Sequence, residues 1–267
     1  MNNNKTDNII KDIVETGSEI SGGIGGTVIG GLIVGPMGTI IGGVCGPIIT
    51  KAFKVIGAEI KKRILGSREE IRIGAAYTFA IEKINENESK GLQIRNDDFF
   101  EEKEGKRPAS EEILEGIIIS AQREYEEQKV RFLGYLYANI CTDTAVSKEM
   151  ANQLIRTANL LSFQQFCMLQ LLDQKRINNL NLDFKLRSLD KWEVRQFDVV
   201  SELKDLEQRG LIFITKRKDD IYEDLTAIKL YNLNLTKSGE YFCKMLYLKE
   251  IDARDLNRIN EITTIIH

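Results

Sequence analysis

The chain has 267 residues, 42% of them hydrophobic and 29% charged, which is enough apolar material for one or two packed domains. A net charge of −3 excludes the basic surplus of a general nucleic-acid binder, and the single histidine, His267, removes the commonest general base and metal ligand. Three prolines, with Cys45, Cys141, Cys167 and Cys243 far apart among apolar neighbours, predict a helical protein with reduced, buried thiols and a cytosolic origin.

Residues 1–19 mix Lys5 and Lys11 with Asp7, Asp12, Glu15 and Glu19, and predict a polar helix rather than a signal peptide. Residues 20–50 then carry no charge, and just over half of the 21 glycines fall there. Gly22, Gly26 and Gly30 lie four apart, as do Gly31 and Gly35, and Gly38, Gly42 and Gly46. This repeat puts small residues on one helix face, where backbones can approach closely, and such contact drives helix association in lipid. In water the same glycines would cost about 1 kcal/mol each against alanine, so the segment reads as membrane-active.

Pro36 divides the run. A single helix over all of it would be roughly 46 Å long, more than a hydrocarbon core of about 30 Å accepts without tilt or a kink. One kinked span, a re-entrant hairpin and an oligomer that deforms the bilayer are all compatible with the letters. A phosphate loop is not: Lys51 follows Thr50 instead of glycine. The basic flank Lys51, Lys54, Lys61, Lys62 and Arg63, punctuated by Ile56, Ile60 and Ile64, predicts an amphipathic helix with a cationic, membrane-surface face.

Helical periodicity continues from Ser67 to Ile84 through Ile71, Ala75 and Phe79. Residues 85–108 are polar and acidic, and close the segment 51–108 as a linker ending at Pro108. In 109–160, Ser110 is the expected cap of a long helix to about Ile140, with Glu111 and Glu112 in its first turn, and a further helix covers 147–160. Ser162 with Gln165 makes a capping box for the next helix, with Phe166, Leu169 and Leu172 inward.

Residues 161–250 change grammar. Phe197, Val200, Leu203 and Leu206 mark a helix ended by Gly210. Leu211 to Ile214 and Ile228 to Leu235 read as strands around a polar excursion, and Thr236 opens a helix with Phe242, Met245 and Leu246. That order is winged-helix-like, and 251–267 adds a C-terminal helix. The fold class expected is therefore mainly α, with a glycine-rich N-terminal membrane-active segment, a helical middle and a winged-helix-like α+β unit.

A winged helix raises the question of DNA, and charge answers it. Residues 162–247 hold 14 Lys and Arg against 13 Asp and Glu, a surplus of 14 − 13 = +1. The would-be recognition helix carries Asp198, Glu202, Asp205 and Glu207 against Lys204 and Arg209, and only Lys216-Arg217-Lys218 is basic. Phosphate neutralisation requires more cations than that, so a protein-contacting or structural unit is preferred. The carboxylates Asp97, Asp98, Glu101, Glu102 and Glu104 have no partner base and read as a solvated loop. Trp192, Tyr125, Tyr135 and Tyr137 read as core or helix contacts. No catalytic residue, metal site or cofactor is expected, and the chain does not read as an enzyme.

Three short motifs carry a resemblance: Phe132-Leu133-Gly134-Tyr135-Leu136-Tyr137-Ala138-Asn139, Leu160-Leu161-Ser162-Phe163-Gln164-Gln165 and Leu235-Thr236-Lys237-Ser238-Gly239. With the glycine run, which matches in character only, they resemble bacterial abortive-infection membrane effectors of the Abi-alpha type and ring-sensing prophage-encoded pore formers. The resemblance implies antiphage defence: a cytoplasmic inactive form, a phage structural protein as trigger, homo-oligomerisation, and permeabilisation of the inner membrane, with the lipid bilayer as partner. Two alternatives stay open: a membrane-tethered winged-helix regulator, and a soluble scaffold with a buried glycine-rich hairpin.

Overall fold

A computed structural model of the chain describes residues 46–60, 62–178, 194–214 and 233–263. The expected N-terminal polar helix, the glycines before Gly46, Lys61, Trp192, the basic tip Lys216 to Lys218 and the start of the second strand at Ile228 lie outside these residues. Among the described residues the protein is mainly helical, with nine α-helices and one two-stranded sheet. The chain divides into two compact units, between Leu160 and Leu161.

The first unit contains α1 (Gly46–Ile60), α2 (Ser67–Ser89), α3 (Ala109–Arg123), α4 (Val130–Ile140) and α5 (Lys148–Leu160). Its axis is the packing of α2 on α4. A Cβ added at Gly134 would lie 2.7 Å from the carbonyl oxygen of Ala76 and 2.8 Å from Cβ of Phe79, so the two backbones are in near-direct contact there. Around that point Ile73, Ala76, Phe132, Leu133, Leu136 and Tyr137 are buried, each large apolar side chain contributing about 1.5–3 kcal/mol. Asn87 donates to the side-chain oxygen of Asn139 at 2.9 Å and so fixes the far end of the pair.

The helix expected from Ser110 to Ile140 is two helices, because the chain turns at Glu124–Lys129, where Lys129 Nζ lies 2.6 Å from Glu124 and both side chains are almost fully buried. Pro108, not Ser110, stands at the start of α3: its ring is tolerated at a helix entrance, and Ser110 lies inside the helix and is buried. Tyr125, at that corner, points into solvent instead of the core.

The stretch 85–108 is not a loose linker. The helix α2 continues to Ser89, and Glu69 reaches back to the Gly66 amide at 2.7 Å to close its first turn. Beyond it, Arg95 is buried and donates to the carbonyls of Val146 (2.9 Å) and Ile140 (3.4 Å). Asp97 binds the same guanidinium, and Phe99 is buried beneath it. One arginine and one phenylalanine thus hold a polar segment down.

The second unit contains α6 (Phe163–Asn178), α7 (Val194–Gln208), β1 (Ile212–Ile214), β2 (Leu233–Leu235), α8 (Lys237–Leu246) and α9 (Ala253–Thr263). The strands pair antiparallel, with Ile212 opposite Leu235 and Ile214 opposite Leu233. The expected capping box closes α6: Gln165 N–H donates to Ser162 Oγ at 3.1 Å, and Ser162 N–H to Gln165 Oε1 at 2.9 Å. Gly210, at φ +70°, turns the chain out of α7 into β1. Phe166, Leu169, Leu206, Phe242, Met245 and Leu246 form the core, with Phe166 and Phe242 edge to face at 5.8 Å. Cys141 in the first unit and Cys167 and Cys243 in the second are buried and form no disulfide among the described residues, as expected of them, while Cys45 lies outside those residues.

Candidate functional site

The described part of the uncharged run is its end, where Gly46 opens α1. Gly22, Gly26, Gly30, Gly31, Gly35, Gly38 and Gly42 lie outside the described residues. Ile49, Ala52, Phe53, Ile56 and Ile60 recur at helical spacing and are all buried, so one face of α1 is sunk into the first unit, against α3. Phe53 fills a slot between two tyrosines, its ring centroid 5.2 Å from Tyr77 and 5.6 Å from Tyr137. The opposite face carries Ile48, Lys51, Lys54 and Ala58, all exposed.

The basic flank expected from sequence is therefore sorted into two groups. Lys51, Lys54 and Lys62 are exposed and have no ion-pair partner among the described residues. Arg63 instead lies 2.8 Å from Glu115 of α3. Ile64, expected on the same face as Ile56 and Ile60, is fully exposed, because the helix ends at Ile60 and the chain turns before Ile64.

Glu115 is the centre of this surface cluster. It accepts from Arg63 and, at 2.7 Å, from Arg107, whose guanidinium also lies 3.9 Å from Glu59 of α1. The Arg107 hydrogen bond, with help from Arg63, holds the Glu115 carboxyl below the usual carboxylate range. Burial pushes the neighbouring Glu111 carboxyl up, against the pull of Lys51 and Arg107. Beneath the cluster lies the hydroxyl of Tyr77, buried with no hydrogen-bond partner among the described residues and raised far above an ordinary phenol by that burial.

Sequence reading missed Glu59, Tyr77, Arg107 and Glu115, which are scattered over 57 positions (115 − 59 + 1). The only local signal was the apolar period from Ile49 to Ile60, which marks a buried face without saying what covers it. Tyr137 of the FLGYLYAN motif forms one wall of the Phe53 slot, and Gly134 is the close approach to α2.

In the second unit the motif L-T-x-x-G has a direct steric basis. Thr236 caps α8, its Oγ1 accepting from the Gly239 N–H at 3.0 Å. A Cβ at Gly239 would stand 2.0 Å from the carbonyl oxygen of Leu211, which itself accepts from the Thr236 N–H at 3.0 Å. On α7, Glu202 and Asp205 are tied inward: Ser162 Oγ donates to Glu202 at 3.0 Å, and Gln165 Nε2 to Asp205 at 2.9 Å. The Arg209 hydrogen bond, then that of Gln165, lowers the Asp205 carboxyl. Asp198 and Glu207 are exposed, and Arg209 is paired with Asp205 at 2.7 Å.

No cluster of three or more His, Cys, Asp or Glu able to hold a metal occurs among the described residues. No helix among them is long and apolar enough to cross a membrane, and residues 20–45 lie outside the described residues. No known protein family, curated protein or solved structure matches the chain.

Proposed function

We propose that the chain is an antiphage defence effector that permeabilises the inner membrane through its glycine-rich segment. A phage structural protein triggers it, copies of the chain oligomerise, and the glycine faces pack against one another in the bilayer. It is cytoplasmic at rest and membrane-bound when active. The described second unit, with its helix, antiparallel strand pair and helix, is read as a winged-helix-like, protein-contacting module that receives the trigger.

The observation that carries the reading is a continuity. In sequence, an uncharged run with four-residue glycine spacing is contiguous with α1, whose outer face presents Lys51 and Lys54, with Lys62 just beyond its end. Apolar segments flanked by unpaired cations suit an anionic leaflet. Arg63 contributes less to such a face than sequence suggests, since Glu115 already neutralises it.

The test is dye leakage on inducible expression, with and without infection, comparing the intact chain with one lacking residues 20–45. This cut spares α1, and with it the core contacts of Ile49 and Phe53. Leakage that requires the segment supports a membrane effector; equal growth and equal dye retention during infection would overturn it.

A further inference from the structure

The docking of α1 joins a well-filled apolar contact to two features that make it reversible. Phe53 sits between Tyr77 and Tyr137, and Ile49, Ile56 and Ile60 are buried on either side. The Tyr77 hydroxyl, however, is buried without a hydrogen-bond partner among the described residues, in the field of Glu59 near the C-terminal end of α1, Arg63 just beyond it and Glu115 of α3. A buried hydroxyl with nothing to bond penalises the closed state and regains water when the site opens. Above it the ion pairs Arg107–Glu59, Arg107–Glu115 and Arg63–Glu115 run across the surface, and every member keeps between 22% and 43% of its side chain exposed. Ion pairs with that much water around them are readily exchanged.

We propose that α1 is a releasable latch: the chain Glu59–Arg107–Glu115–Arg63 holds it closed, and the unpaired Tyr77 hydroxyl biases it toward opening. Opening frees the apolar face of α1 as a continuation of the uncharged run before it. The step from opening to membrane damage rests on the function proposed above.

Two substitutions move the latch in opposite directions. Tyr77→Phe removes the hydroxyl and leaves the ring that Phe53 packs against, so it closes the latch further. Glu115→Lys places a third cation beside Arg63 and Arg107 and opens it; Glu115→Gln, which removes charge without reversing it, falls between that variant and the parent. In the full chain, hydrogen exchange of the amides of residues 49–60 reads the opening directly. We expect exchange about 10-fold slower in Tyr77→Phe and at least about 10-fold faster in Glu115→Lys, with α5 and α8 unchanged. Dye release from vesicles of phosphatidylethanolamine and phosphatidylglycerol should follow the same order.

Exchange in 49–60 that is unaltered or faster in Tyr77→Phe overturns the latch. So does exchange that Glu115→Lys and Glu115→Gln leave at the parent rate. Exchange in the expected order without dye release from any variant upholds the latch and overturns its coupling to membrane permeabilisation, leaving the membrane reading to the infection assay above. Dye release from every variant that ignores the exchange order upholds the membrane reading and overturns the latch as its gate.

Discussion

Two glycines and one lysine set the tightest constraints at the scale of single residues. At Gly239 an added methyl would meet the Leu211 carbonyl at 2.0 Å, a backbone atom that cannot step aside without breaking its bond from the Thr236 amide. Gly239→Ala should therefore destabilise the second unit by about 3 kcal/mol or more, as read by denaturant titration. Gly134→Ala meets 2.7–2.9 Å contacts that a small separation of α2 and α4 relieves, and should cost about 1–3 kcal/mol. Lys129 is a different case, because its partner is as buried as it is. Lys129→Met leaves the Glu124 carboxylate uncompensated and should cost about 3–5 kcal/mol, whereas Lys129→Met with Glu124→Leu should recover most of that loss. A double variant no more stable than the single one would show that the pair positions the α3–α4 corner by geometry rather than by charge balance.

Between elements, carboxylate–arginine pairs tie the first unit together at points its apolar core does not reach. Glu115 of α3 binds Arg63 and Arg107, and Asp97 binds Arg95, which in turn holds the carbonyls at the end of α4 and in the loop after it. Both carboxyls are held below their ordinary values, Glu115 chiefly by the Arg107 hydrogen bond and Asp97 chiefly by that from Arg95. A carboxyl whose folded value is depressed contributes stability that is complete above the ordinary carboxylate range and is lost as pH falls through the folded value. Thermal midpoints of the first unit should hold steady near neutrality and fall progressively below about pH 4. Glu115→Gln should flatten part of that fall, since the variant has already lost the linkage. The Glu115 pairs adjoin α1 through Arg107 and Glu59, so acid weakens its attachment as well.

Across the whole molecule the two units carry different kinds of information. The first joins the uncharged run to a helical core through α1, and the second builds an acidic helix and a short strand pair on α6. If killing depends on glycine faces packing in lipid, bulky substitutions at Gly26, Gly30 or Gly42 should abolish leakage. The thermal transition of the second unit should be unchanged in such variants. Variants that kill as well as the parent would remove glycine packing from the mechanism and return attention to the cationic face of α1. Salt-dependent DNA retardation is not expected, because Glu202 and Asp205 are retained on α7 by the α6 cap and Asp198 and Glu207 face outward.

Signals that lie within a few residues of one another could be recognised from the sequence itself. The Ser162–Gln165 box, the Gly210 stop, the Thr236 cap and the inward rows of α2, α6 and α8 are all local, since caps and periodicity act over one or two turns. Sequence also isolated the uncharged glycine run, for composition needs no partner. Long-range choices required the tertiary structure. The break between α3 and α4 depends on a buried ion pair, the anchoring of 85–108 on where Arg95 finds its carbonyls, and the division of the basic flank on Glu115, 52 positions from Arg63. Each is fixed by which distant groups meet away from water, where an unpaired charge or hydroxyl is costly, and spacing along the chain does not encode that meeting.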